Sequence, residues 1–438
     1  MNILIQNGRV IDPASGFDHT ADVAVADGHI VAIAKTGEKL PANFKTEHTI
    51  DAKGCIVAPG LVDLQVRLRE PGHEHEGMLA SELTAAVAGG VTSLVCPPDT
   101  DPVLDEPGLI EMLKFRAEKL HRARVFPLGA LTRGLKGEVL TEMSDLTDAG
   151  CVGFSQAEVP LENTQVLQRA LQYAATFGYT VWLRPQEMHL GKGVAASGPL
   201  ATRLGLGGVP VAAETIALHT IFALMRSTKA RVHLCRISSA EGVELVRAAK
   251  KEGLAVTADV SINSLHLSDH DIGYFDSRAR VTPVLRQQRD RDALRAALAD
   301  GTLDALVSDH TPVDNDGKAL PFAEAESGAT GLELLLSLSL KWAHDSKVSV
   351  LRALDVLTAQ PAKVLGKVQG QSNSLGQLHV GGVADLVVFD PAVEWHVTPD
   401  ALHSQGKHTP FAFDMTGMSL PARVKATLVA GRAVYQAA

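Results

Sequence analysis

The chain has 438 residues, of which 45% are hydrophobic and 21% charged, so it can bury a full core and lies outside the disordered range. A formal net charge of −9 and only 4% aromatic residues argue against a nucleic-acid-binding surface. The sequence has no apolar stretch of transmembrane length and opens without the apolar core of a signal peptide, so we expect a cytoplasmic protein that does not contact membranes.

Short β-branched runs separated by Gly, Asp and Asn turns open the chain and return at its end. The first runs predict strands over Ile3–Ile5, Asp22–Ala26 and Ile30–Ala34. The last runs predict strands over Ala384–Phe389, Arg423–Val429 and Arg432–Tyr435. Neither end has enough strands for its own core. Residues 1–57 and 376–438 are therefore predicted to combine in one small β-sandwich domain.

Between these ends, over residues 58–375, short apolar strands alternate with segments of helical periodicity. Strand patterns at Gly60–Arg67 and Thr92–Cys96, for example, are separated by a helical pattern at Glu82–Ala88. About eight such units over roughly 300 residues favour an α/β fold of the (β/α)8 TIM-barrel type over an open sheet. Such a barrel places its functional residues just after the carboxyl ends of its strands.

One strand end carries a known pattern. The segment APGLVDLQVRLREPGHEHEG, residues 58–77, resembles the opening of the dihydroorotase branch of the cyclic amidohydrolases, where the strand ends in His-x-His-Leu-Arg. Further similar motifs are PPDT at 97–100, GALTRGLKGE at 129–138, RVTPVLR at 280–286, SDHTP at 308–312, GATGLE at 328–333, GGVADLVVFD at 381–390 and TPF at 409–411. Because these motifs occur in order along almost the whole chain, the resemblance implies an amidohydrolase-type barrel.

The resemblance also identifies six positions at which active relatives bind a metal site, usually binuclear and usually zinc. Such a site lowers the pKa of a bound water that attacks the cyclic amide. The six positions in this chain are Gln65, Arg67, Gln156, Arg184, Arg236 and Asp309. The first five residues are not metal ligands in the family, and only Asp309 keeps the carboxylate. One carboxylate is too weak to hold such a metal, so the resemblance implies no metal, no cofactor and no catalytic residue beyond a vestigial Asp309.

Residues that contact substrate in relatives are altered less completely. Arg69 corresponds to the carboxylate-binding arginine of the family and is retained. Asp99, Thr282 and Val313 stand where relatives often have Asn, Asn and His. An acidic Asp99 should repel an anionic substrate, so these positions are predicted to be remnants of a substrate pocket.

Three of the lost ligands are replaced by arginine, at Arg67, Arg184 and Arg236. Without metal cations, Asp309 would be a costly buried charge unless cationic donors took over. We therefore expect the three guanidinium groups to cluster around Asp309. The alignment is least constrained near Gln156 and Arg184, where Glu158 and His189 are the alternative ligands.

Other histidines have alternative interpretations. His73 and His75, with Glu74 and Glu76, follow a Pro-Gly turn and are more simply solvated residues than a rebuilt metal site. His233 lies within an apolar strand pattern and is predicted to be a core residue.

The leading functional hypothesis is a non-catalytic dihydroorotase homologue of pyrimidine biosynthesis. The resemblance implies a partner, since inactive dihydroorotase-like chains of some bacteria assemble with aspartate carbamoyltransferase and support its assembly; an oligomer is expected. The first alternative is an active cyclic amidohydrolase, converting dihydroorotate to N-carbamoyl-aspartate at an atypical metal site. The second is an arginine-lined pocket that binds a small anion as a regulatory ligand.

Overall fold

The structure is a computed structural model that describes residues 2–42, 44–366, 375–412 and 417–437. In chain order its strands are β1 Ile3–Asp12, β2 Phe17–Ala26, β3 His29–Lys35, β4 His48–Asp51, β5 Ile56–Pro59, β6 Leu61–Asp63, β7 Val91–Cys96, β8 Arg124–Pro127, β9 Gly129–Ala130, β10 Phe154–Ser155, β11 Thr180–Leu183, β12 Ala195–Ala196, β13 Gly208–Val209, β14 Arg231–Leu234, β15 Val256–Ser261, β16 Ala305–Val307, β17 Leu386–His396, β18 Ser419–Val429 and β19 Arg432–Gln436. Its α-helices are α1 Leu79–Ala88, α2 Pro107–Lys119, α3 Met143–Asp148, α4 Thr164–Phe177, α5 Pro199–Leu204, α6 Ala212–Thr228, α7 Ala240–Glu252, α8 Ile262–His266, α9 Gln288–Asp300, α10 Asn315–Ala319, α11 Leu335–Ser346, α12 Val350–Asp355 and α13 Ala359–Leu365.

The middle of the chain forms the predicted barrel. Parallel pairing runs from β6 through β7 to β8, and from β9 through β10, β11, β14 and β15 to β16. Because β9 follows β8 after the single residue Leu128, the two runs are consecutive. A parallel bridge between Val66 and His310 joins the first strand to the last, and the Arg67 amide donates to the His310 carbonyl over 2.9 Å. The (β/α)8 fold is thereby confirmed.

Side chains that alternate along the barrel strands belong to two separate hydrophobic cores. Val62, Val95 and Val307 belong to one buried cluster. Their neighbours Leu61, Leu94 and Leu306 belong to the larger cluster that includes the helices. Successive side chains of a strand point to opposite faces, so the smaller cluster fills the barrel and the larger one lies between strands and helices.

Strands from the two chain ends combine in one β-rich unit, ordered β19-β18-β17-β5-β1-β2-β3 with β4 beside β1. One face of this sheet has its own buried cluster, which includes Ile3, Val23 and Leu386. The other face packs on the barrel, where Thr427 donates to the carbonyl of Val87 over 2.7 Å. Strand β5 spans residue 57, the predicted domain boundary, and pairs with β1 and β17, so one continuous strand segment leads from the sheet into the barrel.

All four cysteines are buried free thiols. Within the described residues, no helix has the length and apolar character needed to cross a bilayer.

Gly60 connects the β-rich unit to the barrel, and its amide donates to the Asp385 carbonyl over 2.9 Å. A Cβ atom at this position would overlap the buried Thr92 side chain. We predict that Gly60→Ala lowers the free energy of unfolding by about 1–3 kcal/mol, the usual cost of overpacking, measured by urea denaturation.

Gly108, in the first turn of α2, is the matched control because a Cβ there meets no atom within 4 Å. Gly108→Ala should raise stability by up to about 1 kcal/mol, since alanine favours the helix. A Gly60→Ala protein as stable as the wild type would contradict the close approach of Gly60 to the Thr92 side chain.

Candidate functional site

The six positions predicted from the resemblance lie after barrel strands. Gln65 and Arg67 follow β6, Gln156 follows β10, and Asp309 follows β16, while the other two arginines follow β11 and β14. A cavity of about 170 Å³ opens at this end of the barrel. Its lining includes Arg67, Arg236, Asp309, Asp99, Glu158 and Thr282.

The three arginines converge on Glu158. Arg67 Nη2 lies 2.9 Å from Glu158 Oε1, and Arg236 Nη2 contacts the same oxygen. Arg184 Nε pairs with the other oxygen, Oε2, and its Nη2 donates to the Glu158 carbonyl over 3.3 Å. Four side chains therefore form one ion network, the Glu158 cluster, composed of Glu158, Arg67, Arg184 and Arg236.

The expected cluster around Asp309 needs correction. Asp309 does receive a guanidinium, since Arg236 Nη1 donates to its Oδ1 over 2.9 Å. Arg67 instead directs its remaining donors to Asp99, at 2.9 Å from Nε, and to Thr311 Oγ1, at 3.1 Å. Glu158, in the loop after β10, contacts all three arginines, whereas Asp309 pairs with Arg236.

Burial and charge act in opposite directions on these carboxyls. Burial by itself would raise the pKa of Glu158, but the positive charges of Arg236, Arg184 and Arg67 outweigh it and hold that pKa far below its ordinary value. Solvent still reaches 31% of the Glu158 side chain, which screens part of this effect. For Asp309, burial is the larger influence, and its pKa is raised although Arg236 and Arg67 oppose the shift.

The backbone around the cluster is strained. Arg236 and Asp309 have φ angles of 56° and 52°, in the left-handed region that non-glycine residues seldom adopt. Arg69 and Ala157 share this conformation, with φ angles of 63° and 51°. Strained residues of this kind concentrate at functional sites. Here they turn the side chains after several strands toward one mouth.

Arg69 is already occupied within the chain. Its Nε lies 3.1 Å from Glu76 Oε2 and donates to the Pro312 carbonyl over 2.8 Å. Its Nη2 donates to Glu326 Oε1 over 3.3 Å. Arg69, the position that the resemblance matches to the substrate-binding arginine of the family, therefore pairs with two acidic side chains of this chain.

The other predicted positions contribute little to the network. Gln156 turns away from the arginines, accepting from Thr132 Oγ1 over 2.9 Å and donating to the Leu135 carbonyl over 2.7 Å. Gln65 is buried, and its backbone amide donates to Asp63, whose pKa is raised to about 7 by burial.

The predicted substrate-pocket residues lie in different surroundings. Thr282 shares a 2.7 Å hydrogen bond with Ser327, and its carbonyl accepts from Arg236 over 3.2 Å. Val313 is fully buried and packs beside Gly328. Asp99 neutralises Arg67, so its role in this structure is to bind an internal cation.

The residues at the mouth do not fit the metal site of the family. Guanidinium groups offer donors and positive charge where a divalent ion needs neutral nitrogen or anionic oxygen ligands. Among the described residues, one buried group has metal-ligand chemistry at short mutual distances: His233, Cys235 and Asp259. His233 already bonds Asp259 and Thr257, each over 2.8 Å, so this group forms a hydrogen-bonded part of the barrel core.

Neighbouring histidines are engaged elsewhere. His310 is fully buried, and its Nε2 bonds Glu82 Oε2 over 2.8 Å. The imidazole is therefore engaged by Glu82 although His310 follows Asp309 in the chain. His73 Nδ1 stands 3.8 Å from Glu76, and its ring centroid is 6.2 Å from that of His75. Within the described residues, no metal-type grouping includes either of these two histidines.

Sequence reasoning named Glu158 only as an alternative ligand and missed its central position. It also missed that Arg69 pairs with Glu76 and Glu326, two residues from separate loops. One signal was available: three arginines at strand ends require carboxylates nearby, and Glu158 is the acid that follows β10.

Comparison with known proteins places this site in a family. A family model described as dihydro-orotase-like matches residues 54–242, and one described as amidohydrolase family matches residues 211–435. The chain is 42% identical over 437 residues to a dihydroorotase-like protein of Pseudomonas aeruginosa, covering 100% of both chains. It is 40% identical over 438 residues to a dihydroorotase of Geobacter sp. strain M21, again covering 100% of both. An L-hydantoinase structure from Arthrobacter aurescens superposes with a TM-score of 0.86 at 24% identity, covering 99% of this chain and 96% of that one, which supports the fold.

The barrel, its β-rich unit and the strand-end site thus define an amidohydrolase-type protein. Within that class, the chain belongs to the dihydroorotase-like family.

We predict that Glu158→Gln lowers the free energy of unfolding at pH 7 by about 2–4 kcal/mol. Removing one partner of a buried ion pair costs about 3–5 kcal/mol, and the partial exposure of Glu158 reduces that. Glu162→Gln, on the same loop but 68% exposed and 3.6 Å from His189, is the control and should leave the denaturation midpoint unchanged.

The Glu158 contribution should also depend on pH. Because the pKa of Glu158 is lowered in the folded state, its stabilisation is complete above the unfolded value of about 4.3 and declines as the pH falls below it. The stability difference between wild type and Glu158→Gln should therefore be constant from pH 7 to 5 and smaller at pH 3.5. A difference that grew on acidification would contradict the ion network.

Proposed function

We propose that this protein is a non-catalytic dihydroorotase homologue that supports the assembly of aspartate carbamoyltransferase in pyrimidine biosynthesis. The observation that carries the first part is the Glu158 cluster. Three arginines stand at positions where the resemblance places the metal ligands of active relatives, and Glu158 pairs with all three. Asp99 and Asp309 add two further negative charges, one beside Arg67 and one beside Arg236. The carboxylates at the mouth, Asp99, Glu158 and Asp309, are each engaged by an arginine, which supports a mouth that does not hold the metals of the family.

Two steps of dihydroorotate hydrolysis lack their groups in this arrangement. In the metal-dependent reaction, the bound metal lowers the pKa of its water from about 15.7 to about 7, which supplies hydroxide near neutral pH. Guanidinium groups carry no lone pair for a metal, and their charge repels one. Substrate binding would also require Arg69 to release Glu76 and Glu326.

The same geometry disfavours the regulatory-anion hypothesis. All four arginines at the mouth already pair with carboxylates of the chain: Arg67, Arg69, Arg184 and Arg236. An added anion would therefore compete with these carboxylates for the guanidinium groups.

The partner rests on the resemblance to inactive dihydroorotase-like chains that assemble with the transferase. Two relatives from Pseudomonas, each 42% identical, carry the name dihydroorotase-like protein, whereas several relatives of 37–40% identity are named dihydroorotase. A barrel without its catalytic ligands keeps an extended, folded surface. That surface is what an assembly role requires.

The first experiment measures metal and activity on one sample purified without chelators. We predict less than about 0.1 zinc per chain by plasma mass spectrometry, because the ligand set is absent. Dihydroorotate hydrolysis should not exceed the buffer rate. A stoichiometric metal together with turnover would contradict the proposal and favour the alternative of an active amidohydrolase with an atypical site.

A second experiment tests the partner. We predict that the full-length chain co-migrates in size-exclusion chromatography with purified aspartate carbamoyltransferase from the same organism. The complex should be larger than either protein alone, because assembly adds their masses. Glu158→Gln, folded at the assay temperature, is the control for surface binding and should co-migrate equally. Separate elution of the two wild-type proteins would refute the assembly role.

A further inference from the structure

An aromatic pair projects from the rim of the barrel mouth between β15 and α9. Tyr274 is 94% exposed and Phe275 is 38% exposed, and their rings meet edge to face at 5.7 Å. Together they form the aromatic tip. Soluble proteins seldom present two adjacent aromatic rings to water, and exposed Tyr and Phe are typical anchors of protein interfaces.

The backbone holds this tip in a defined conformation. The Gly273 amide donates to the His270 carbonyl over 3.0 Å, and the Asp276 amide donates to the Ile272 carbonyl over 2.9 Å. Phe275 has a φ of 60°, a left-handed conformation that is strained for an aromatic residue. A fixed loop loses less conformational entropy on binding, so the tip is preorganised for a partner.

A second loop extends the apolar surface. Ser277, two residues after Phe275, donates through its Oγ to the carbonyl of Lys318 over 2.6 Å. Lys318 in turn donates to the Ser277 carbonyl over 3.1 Å. Leu320, two residues beyond Lys318, is 47% exposed. The bonded pair therefore links the loop that carries Leu320 to the loop that carries the aromatic tip.

The rim around these residues is acidic. Segments 268–280 and 314–327 together carry seven carboxylate side chains and three cationic ones. Arg278 is paired with Asp276, and Lys318 is buried against three backbone carbonyls. Asp316 and Glu324 are exposed. A complementary surface would offer an apolar socket flanked by lysine or arginine.

This rim is continuous with the mouth of the barrel. The Gly328 amide donates to the Arg280 carbonyl over 3.0 Å, and Thr282 bonds Ser327. Glu326 reaches from the same loop to Arg69. The loop that pairs with Arg69 through Glu326 is therefore also bonded to the segment that follows the aromatic tip.

We propose that the aromatic tip, with Leu320 and the acidic residues Asp316 and Glu324, is the docking surface for a protein partner that presents an apolar socket rimmed by basic side chains. The proposal rests on the proposed assembly function and deepens it by assigning the contact surface. A second copy of this chain would bring like charges together, and an anionic lipid surface would repel the acidic rim.

The test uses full-length protein and purified aspartate carbamoyltransferase, with affinity measured by biolayer interferometry. Tyr274→Ala combined with Phe275→Ser should weaken binding by at least about tenfold, because buried aromatic anchors carry a large share of interface energy. Phe115→Ser is the matched control, since Phe115 is an aromatic residue 59% exposed on α2, outside the rim. Its affinity should stay within about twofold of the wild type, the scale of a near-neutral interface position. Circular dichroism and thermal unfolding verify that both variants are folded.

A charge-reversal variant tests the rim. Asp316→Lys combined with Glu324→Lys should slow association, and the loss should shrink as salt is raised, because exposed charges act mainly on the association rate.

The outcomes separate the two proposals. If wild-type chain and transferase form no complex, the assembly function fails, and the assignment of this surface fails with it. If they form a complex that the tip variant keeps within twofold, the surface assignment alone is overturned. Sedimentation that shows wild-type self-association abolished by the tip variant, or tip-dependent binding to phosphatidylserine vesicles, would also overturn it by identifying a different occupant.

Discussion

Three guanidinium groups that share one carboxylate organise the mouth of this barrel. Arg67, Arg184 and Arg236 come from three different strand ends, and each is almost entirely buried. Three such cations in one mouth would repel one another without a common anion. Glu158 supplies that anion and links the loop after β10 to the strands on either side. The positions of Asp99, Asp309 and Thr311 follow, because each binds a donor that Glu158 leaves free.

The same interaction balances charge at the mouth of this amidohydrolase-type barrel. In the active family, cations at the mouth neutralise the carboxylates that the strands present. Here the cations are covalently part of the chain, so their charge balance does not depend on metal supply or on ligand protonation. A guanidinium has no lone pair with which to bind a metal ion. The consequence for structure is retention of the strand-end loops, whose strained residues Arg236 and Asp309 are held by their ion pairs.

Internal bonds also connect the loops around the mouth of the barrel to one another. Arg69 ties the entrance loop at Glu76 to the loop at Glu326, and that second loop reaches the segment bearing Tyr274 and Phe275. The Arg69 ion pairs and the exposed aromatic tip are therefore parts of one rim. This connection gives the proposed assembly role a physical basis, because a rim that is already ordered loses less conformational entropy on binding.

Local sequence determined much of this protein. Alternating strand and helix patterns predicted the barrel, and β-branched runs predicted the terminal sheet. The sequence also placed arginines at three strand ends, at Arg67, Arg184 and Arg236. Only the tertiary structure decided which anion those arginines share. Asp309 and Glu158 are both acids just after strand ends, and nothing local distinguishes them. The choice depends on how far the loop after β10 reaches across the mouth, which is set by the closure of the barrel and by contacts between residues distant in the chain. For the same reason, the partners of Arg69 and the neighbours of Tyr274 emerged only once the loops were brought together in space.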